Sequence, residues 1–107
     1  MIKNKEQLKQ YLMMDKFALG KTYKRPKIFG DDIWKFQICL RMYEYYLNTK
    51  NNLILLYYYK LKWYKLCIKY NLEIPPNVFG PGLRLNHFGV IVNGDSKIGA
   101  WADVAGG

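Results

Sequence analysis

The chain has few acidic residues, cysteines and histidines. Its 107 residues include 17 lysines and arginines but only 8 acids and 1 histidine, for a net charge of +9. A chain of this length forms one small domain, or a domain with an appendage, which excludes a multidomain enzyme. Half of the residues are apolar and 17% are aromatic. This composition excludes a disordered chain, because enough apolar surface is present to offset the entropy lost on folding.

Long apolar runs are also missing. Uncharged runs reach only about ten residues, whereas a helix that crosses a bilayer needs about 20. Residues 1–7 lack the apolar region and the small-residue cleavage site of a signal peptide. We therefore expect no membrane span and a cytoplasmic location. Cys39 and Cys67 show no CxxC spacing, which favours buried free thiols over a disulfide or a metal site.

The composition changes near residue 73. Residues 1–72 hold 15 of the 17 basic residues and all 10 tyrosines, whereas residues 73–107 hold 7 of the 9 glycines and 3 of the 4 prolines. The sequence thus predicts two units, an α-helical region over 1–72 and a different structure over 73–107. In the first unit, apolar spacing predicts helices over residues 5–19, from Asp31 and Asp32 to Leu47, and over 53–70.

The second unit has a period of six residues. Bulky apolar residues recur at that spacing in two sets, which are Phe79, Leu85 and Ile91, and Val92, Ile98 and Val104. A hexapeptide period is typical of a parallel β-helix, in which the bulky residue of each unit points into a central stack. A β-hairpin from Leu83 to Lys97 around Asn93-Gly94 is the alternative, because Asn-Gly favours a tight hairpin turn.

The same segment carries a family resemblance. The residues concerned are Pro75, Phe79, Gly80, Gly82, Leu85, His87, Gly89, Ile91 and Val92, together with residues 30–36 and 45–47 of the helical unit. With these residues the chain resembles the serine acetyltransferase group of left-handed β-helix acyltransferases, particularly members found with bacterial surface-polysaccharide genes. The resemblance covers nearly the whole chain. It implies an α-helical region over 1–72, the first coils of a left-handed parallel β-helix over 73–107, and a homotrimer.

The resemblance also implies an activity and its residues. The activity is transfer of an acetyl group from acetyl-CoA to the hydroxyl of L-serine in cysteine biosynthesis, with no metal. His87 would be the general base, since a histidine can take the proton of an attacking alcohol. Glu73 is the candidate to orient it, because the family's acid position holds Leu72 here. Asn86 replaces an aspartate that contacts the serine ammonium, so a saccharide hydroxyl is an alternative acceptor.

Two further features bear on function. The chain ends at Gly107, with fewer coils than the family has, so we expect an incomplete acetyl-CoA site and consider a catalytically inactive helical interaction module as a third alternative. Lys60, Lys62, Lys65 and Lys69 alternate with aromatic residues, a pattern that suits anionic lipid or nucleic acid. We interpret it instead as a solvated face whose tyrosines pack between helices, and we expect no nucleic-acid partner.

Overall fold

A computed structural model describes residues 1–86, 88–92, 94 and 97–104 of the chain. Its elements are, in chain order, α1 (Lys5–Ala18), α2 (Asp32–Thr49), α3 (Leu53–Tyr70), β1 (Arg84–Leu85) and β2 (Asp103–Val104). The three predicted helices are confirmed, with boundaries within one or two residues of those expected. Among the described residues, no helix combines the length and the apolarity that crossing a bilayer requires.

Short polar side chains determine where two of the helices begin. The Asn4 side chain accepts a hydrogen bond of 2.8 Å from the backbone N–H of Gln7, and the Asn52 side chain accepts one of 3.1 Å from Leu55. Each satisfies a backbone donor that the first helical turn leaves without a partner. α3 ends where Asn71 adopts a left-handed conformation with φ of 54°.

One apolar core joins the helices to the segment that follows them. It consists of Phe36 and Leu40 from α2 together with Leu72, Ile74, Val78, Phe79, Leu83, Leu85 and Val90. α2 also packs against both other helices, so it is the central element of the fold. A smaller cluster of Ile2, Leu8, Tyr11 and Tyr45 fills the space between α1 and α2.

The chain after α3 makes one turn and pairs with itself in parallel. Arg84 and Leu85 pair with Asp103 and Val104, and isolated bridges join Glu73 to Ile91 and Phe79 to Ile98. The described pairings are all parallel, whereas the alternative hairpin over 83–97 requires antiparallel strands. Its turn residue Asn93 lies outside the described residues.

The predicted left-handed parallel β-helix is wrong. The strands of the described residues amount to one two-residue pair and two isolated bridges, and no stack of coils forms. Ile91 was expected inside such a stack, yet 70% of its surface is exposed. The apolar side chains of residues 74–85 are instead buried with Phe36 and Leu40 of α2. A six-residue period is therefore equally compatible with an irregular segment that packs on a helix. The period indicates which side chains are buried, but it does not indicate which element covers them.

Buried polar side chains of α1 and α2 hold the backbone of the segment over 77–85. The Gln37 amide donates to the Leu83 carbonyl at 2.7 Å and accepts from the Leu85 N–H at 3.0 Å. One oxygen of the Asp15 carboxylate accepts hydrogen bonds of 2.9 Å from the N–H groups of Gly82 and Leu83. An irregular segment is thus satisfied by side chains where a sheet would have used a neighbouring strand.

Candidate functional site

The inner face of α3 is anchored to the rest of the domain. The Trp63 indole N–H donates to the Ile74 carbonyl at 2.9 Å, and the Trp63 ring lies 5.3 Å from that of Tyr43. Farther toward the start of the helix, the rings of Tyr46 and Tyr59 stack at 5.7 Å. These contacts fix the rotation of α3 about its own axis, and they determine which of its residues face outward.

The outer face of α3 carries a row of exposed apolar residues at heptad spacing. The row is Ile54, Tyr57, Leu61, Tyr64 and Ile68, which we call the α3 seam, and its members are 57% to 82% exposed. Positions 54, 61 and 68 are seven apart, as are 57 and 64, which is the alternating spacing of four and three found in helices that pair. An apolar stripe normally faces a core, but no element within the described residues covers this one.

The lysines of α3 border the α3 seam, and α3 itself contains no acidic residue. Lys62, Lys65 and Lys69 lie along one side and Lys60 on the other, and all four are exposed. Residues 45–72 contain no aspartate or glutamate. The surface around the seam is therefore apolar in the middle and positively charged at its margins.

Two surface depressions flank the α3 seam. One, of about 450 Å³, lies between the end of α3 and the paired segment, where Ile68, Glu73 and Ile91 contribute to its walls. The other, of about 460 Å³, lies beside Leu61 and is lined by Lys62 and Lys65. Side chains of a second molecule placed along the seam would find room in both.

The prediction that the tyrosines pack between helices is correct for some of them only. Tyr59 and Tyr70 are half-buried, whereas Tyr57, Tyr58 and Tyr64 have more than half of their surface exposed. The heptad spacing of the α3 seam is visible in the sequence, but a spacing does not distinguish a stripe that is covered from one that is not. The sequence therefore did not predict that this row forms an exposed surface.

The predicted catalytic residues are only partly described. His87 lies outside the described residues. Glu73 is exposed, and its backbone pairs with Val90 and Val92 through hydrogen bonds of 2.8 and 2.9 Å. Asn86 accepts from the Arg84 guanidinium at 3.1 Å and donates to the Asp103 carboxylate. The predicted contact of Glu73 with His87 therefore lies outside the described residues, and within them no hydrogen bond joins Glu73 to Asn86.

The cysteines lie against the inner side of α3. Both are free, as predicted, with Cys39 buried and Cys67 half-buried. Burial raises the pKa of the Cys39 thiol to about 11 and that of Cys67 above its ordinary value. Since the thiolate is the reactive form, neither residue is suited to nucleophilic chemistry at neutral pH. In the described part of the chain, no three histidine, cysteine or acidic side chains cluster as metal ligands would.

No protein-family model, curated protein or solved structure matches the chain. The resemblance to the serine acetyltransferase group is therefore wrong, since the described residues form no left-handed β-helix and no comparison supports the family. The catalytic assignments made through it now depend on the residues alone. The α3 seam, by contrast, is supported by the observed exposure of its five side chains on one helix.

Proposed function

We propose that this chain is a partner-binding domain whose α3 seam pairs with an amphipathic helix that carries acidic residues beside its apolar stripe. The observation that carries the proposal is the exposed heptad row from Ile54 to Ile68 with its lysine margins. An apolar stripe with two residues in each heptad can be covered by one other helix, whose side chains insert between those of the α3 seam. The spacing thus favours a helix over an extended peptide, which would present side chains at a period of two.

The charge pattern selects the chemistry of the partner. In a parallel pair of identical α3 helices, Lys60 would lie opposite Lys65 of the second copy, and like charges at these flanking positions oppose pairing. The net charge of +9 adds general repulsion between copies. Glutamate or aspartate at the flanking positions of a different helix would instead pair with Lys60 and Lys65. A distinct acidic partner therefore suits the surface better than self-association.

The proposal is tested with two synthetic peptides of about four heptads, identical in their leucine stripe but with glutamate or lysine at the flanking positions. Fluorescence anisotropy of the labelled peptides measures binding to the purified chain. We expect the glutamate peptide to bind, the lysine peptide to bind at least tenfold more weakly, and added salt to reduce the difference. Equal binding of the two peptides, or no binding of either, would overturn the proposal.

Variants localise the binding to the α3 seam. Leu61→Ser and Ile68→Ser each remove an exposed apolar group and should weaken the glutamate peptide at least tenfold without lowering the melting temperature. Ile28→Ser is the matched control, because Ile28 is 87% exposed in the loop before α2 and lies outside the seam. Sedimentation velocity and anionic lipid vesicles test the other occupants. A dimer lost in Leu61→Ser, or vesicle binding in place of peptide binding, would contradict the proposal.

Acetyl transfer from acetyl-CoA to serine or to a saccharide is a separate proposal carried over from the sequence. It depends on His87 as the base and Asn86 beside the acceptor, and no contact of the α3 seam bears on it. Release of CoA thiol from acetyl-CoA, which does not depend on peptide binding, distinguishes an active enzyme from an inactive interaction module.

A further inference from the structure

Another surface cleft is lined by no residue of α3 and so is separate from the α3 seam. It has a volume of about 400 Å³ and is formed by the second half of α1, residues 24–26 and the start of α2. Its wall is apolar where Leu12, Trp34 and Ile38 meet. Trp34 itself is buried and makes an edge-to-face contact with Tyr23 at 5.5 Å, so this wall is held in place by packing.

Three cations surround that apolar wall. They are Lys16 at the end of α1 and Lys24 and Arg25 in the loop, and no acidic residue lines the cleft. Within the described ranges, none of the three forms an ion pair. The sequence predicts only a solvated loop for Lys24 and Arg25, because nothing in it indicates that Lys16 lines the same cleft.

The loop that carries two of the cations is ordered by a nearby carboxylate. Asp31 accepts hydrogen bonds from the Lys21 ammonium at 2.9 Å, from the Tyr23 hydroxyl at 2.7 and 2.6 Å, and from the Lys27 N–H at 2.9 Å. The Lys35 ammonium donates to the Ile28 carbonyl at 2.7 Å. Lys24 and Arg25 therefore project from a segment with a defined shape, which lowers the entropy that binding would have to overcome.

We infer that this cleft binds a small amphipathic anion, a carboxylate on an aliphatic or aromatic body. The apolar body would lie against Trp34 and Ile38, while Lys24 and Arg25 would pair with the carboxylate. Pockets of this size, mostly apolar with a few convergent polar groups, are the usual form of small-molecule sites. Arginine suits a carboxylate in particular, because its planar group offers two parallel donors. The inference is independent of the partner proposed for α3.

The test is a titration with decanoate, followed through the indole N–H resonances of the three tryptophans. Trp34 reports on the cleft and Trp63 on α3, so the position of binding is read directly. We expect decanoate to shift the Trp34 resonance, and decanol, which has the same body without the charge, to do so at least tenfold more weakly. Acetate, which has the charge without the body, should leave Trp34 unchanged.

Paired variants test the role of the cations. Lys24→Gln with Arg25→Gln should weaken decanoate at least tenfold. Lys5→Gln with Lys9→Gln removes the same charge from the exposed side of α1 and should leave the affinity within about twofold. The inference fails if decanol matches decanoate, if both double variants weaken binding equally, or if decanoate shifts Trp63 and not Trp34.

Discussion

The Arg41 guanidinium is held by the Asp15 carboxylate through hydrogen bonds of 2.7 and 3.1 Å, and both side chains are almost wholly buried. The same guanidinium donates to Glu44 at 3.0 Å and to the carbonyls of Phe79 and Gly80 at 2.9 and 2.7 Å. One side chain therefore joins α1, α2 and the irregular segment. The buried charge of Arg41 is tolerated at this position because its guanidinium N–H groups have hydrogen-bond acceptors.

Arg41→Met should destabilise the domain by about 3–5 kcal/mol, because it leaves the Asp15 and Glu44 carboxylates buried without a countercharge. Urea unfolding monitored by circular dichroism measures the loss. Lys9→Met, on the exposed side of α1, is the control and should change the free energy of unfolding by less than about 0.5 kcal/mol. Adding Asp15→Asn to Arg41→Met should cost less than the sum of the two separate losses, and full additivity would contradict the coupling.

Acid should destabilise the domain through Asp31. The Lys27 backbone N–H, the Tyr23 hydroxyl and the Lys21 ammonium lower the pKa of this carboxyl well below its ordinary value of 3.8. A carboxyl whose pKa is lower in the folded state contributes stability above pH 3.8 and loses it progressively as the pH falls below that value. Asp31→Asn should be less stable than wild type at neutral pH and lose less stability on acidification. Parallel pH curves of unfolding free energy would contradict this account.

Gly80 should not tolerate a side chain. A Cβ at this position would lie 2.9 Å from the backbone nitrogen of Ala100 and the carbonyl carbon of Gly99, because the backbones of residues 80 and 98–100 approach closely there. Gly80→Ala should therefore cost about 1–3 kcal/mol, measured by chemical unfolding. Gly99→Ala provides the control, since its Cβ would have nothing within 4 Å. Similar losses in the two variants would show that the close approach does not limit stability.

Acetyl transfer predicts release of free CoA thiol when the purified chain is incubated with acetyl-CoA and L-serine, or with a panel of saccharides. His87→Ala should reduce the rate at least a hundredfold, because general-base catalysis contributes about 10²–10⁴-fold. The melting temperature of the variant establishes that it is folded. An absence of thiol release with every acceptor, from wild-type protein that binds the glutamate peptide, would support the inactive interaction module.

The sequence by itself determined the helices. The helices are indicated by local signals, which are apolar spacing, the capping side chains of Asn4 and Asn52, and Gly20 after α1. Each of these depends only on residues a few positions apart in the chain. The six-residue period after residue 73 predicts a solenoid incorrectly, because the period indicates which residues are buried and not which element buries them. Whether a second strand or the α2 residues Phe36 and Leu40 cover them depends on contacts distant in the chain.

Tertiary structure alone decided the rest. The seam of α3 is exposed because α3 packs on α2 through its other side, and no element of the described residues covers the seam. The cleft beside Trp34 exists because the loop that Asp31 holds by hydrogen bonds brings Lys24 and Arg25 to the same cleft as Lys16. The cleft is made by residues from separate segments, and the exposure of the seam depends on where α3 packs, so local sequence preferences decide neither.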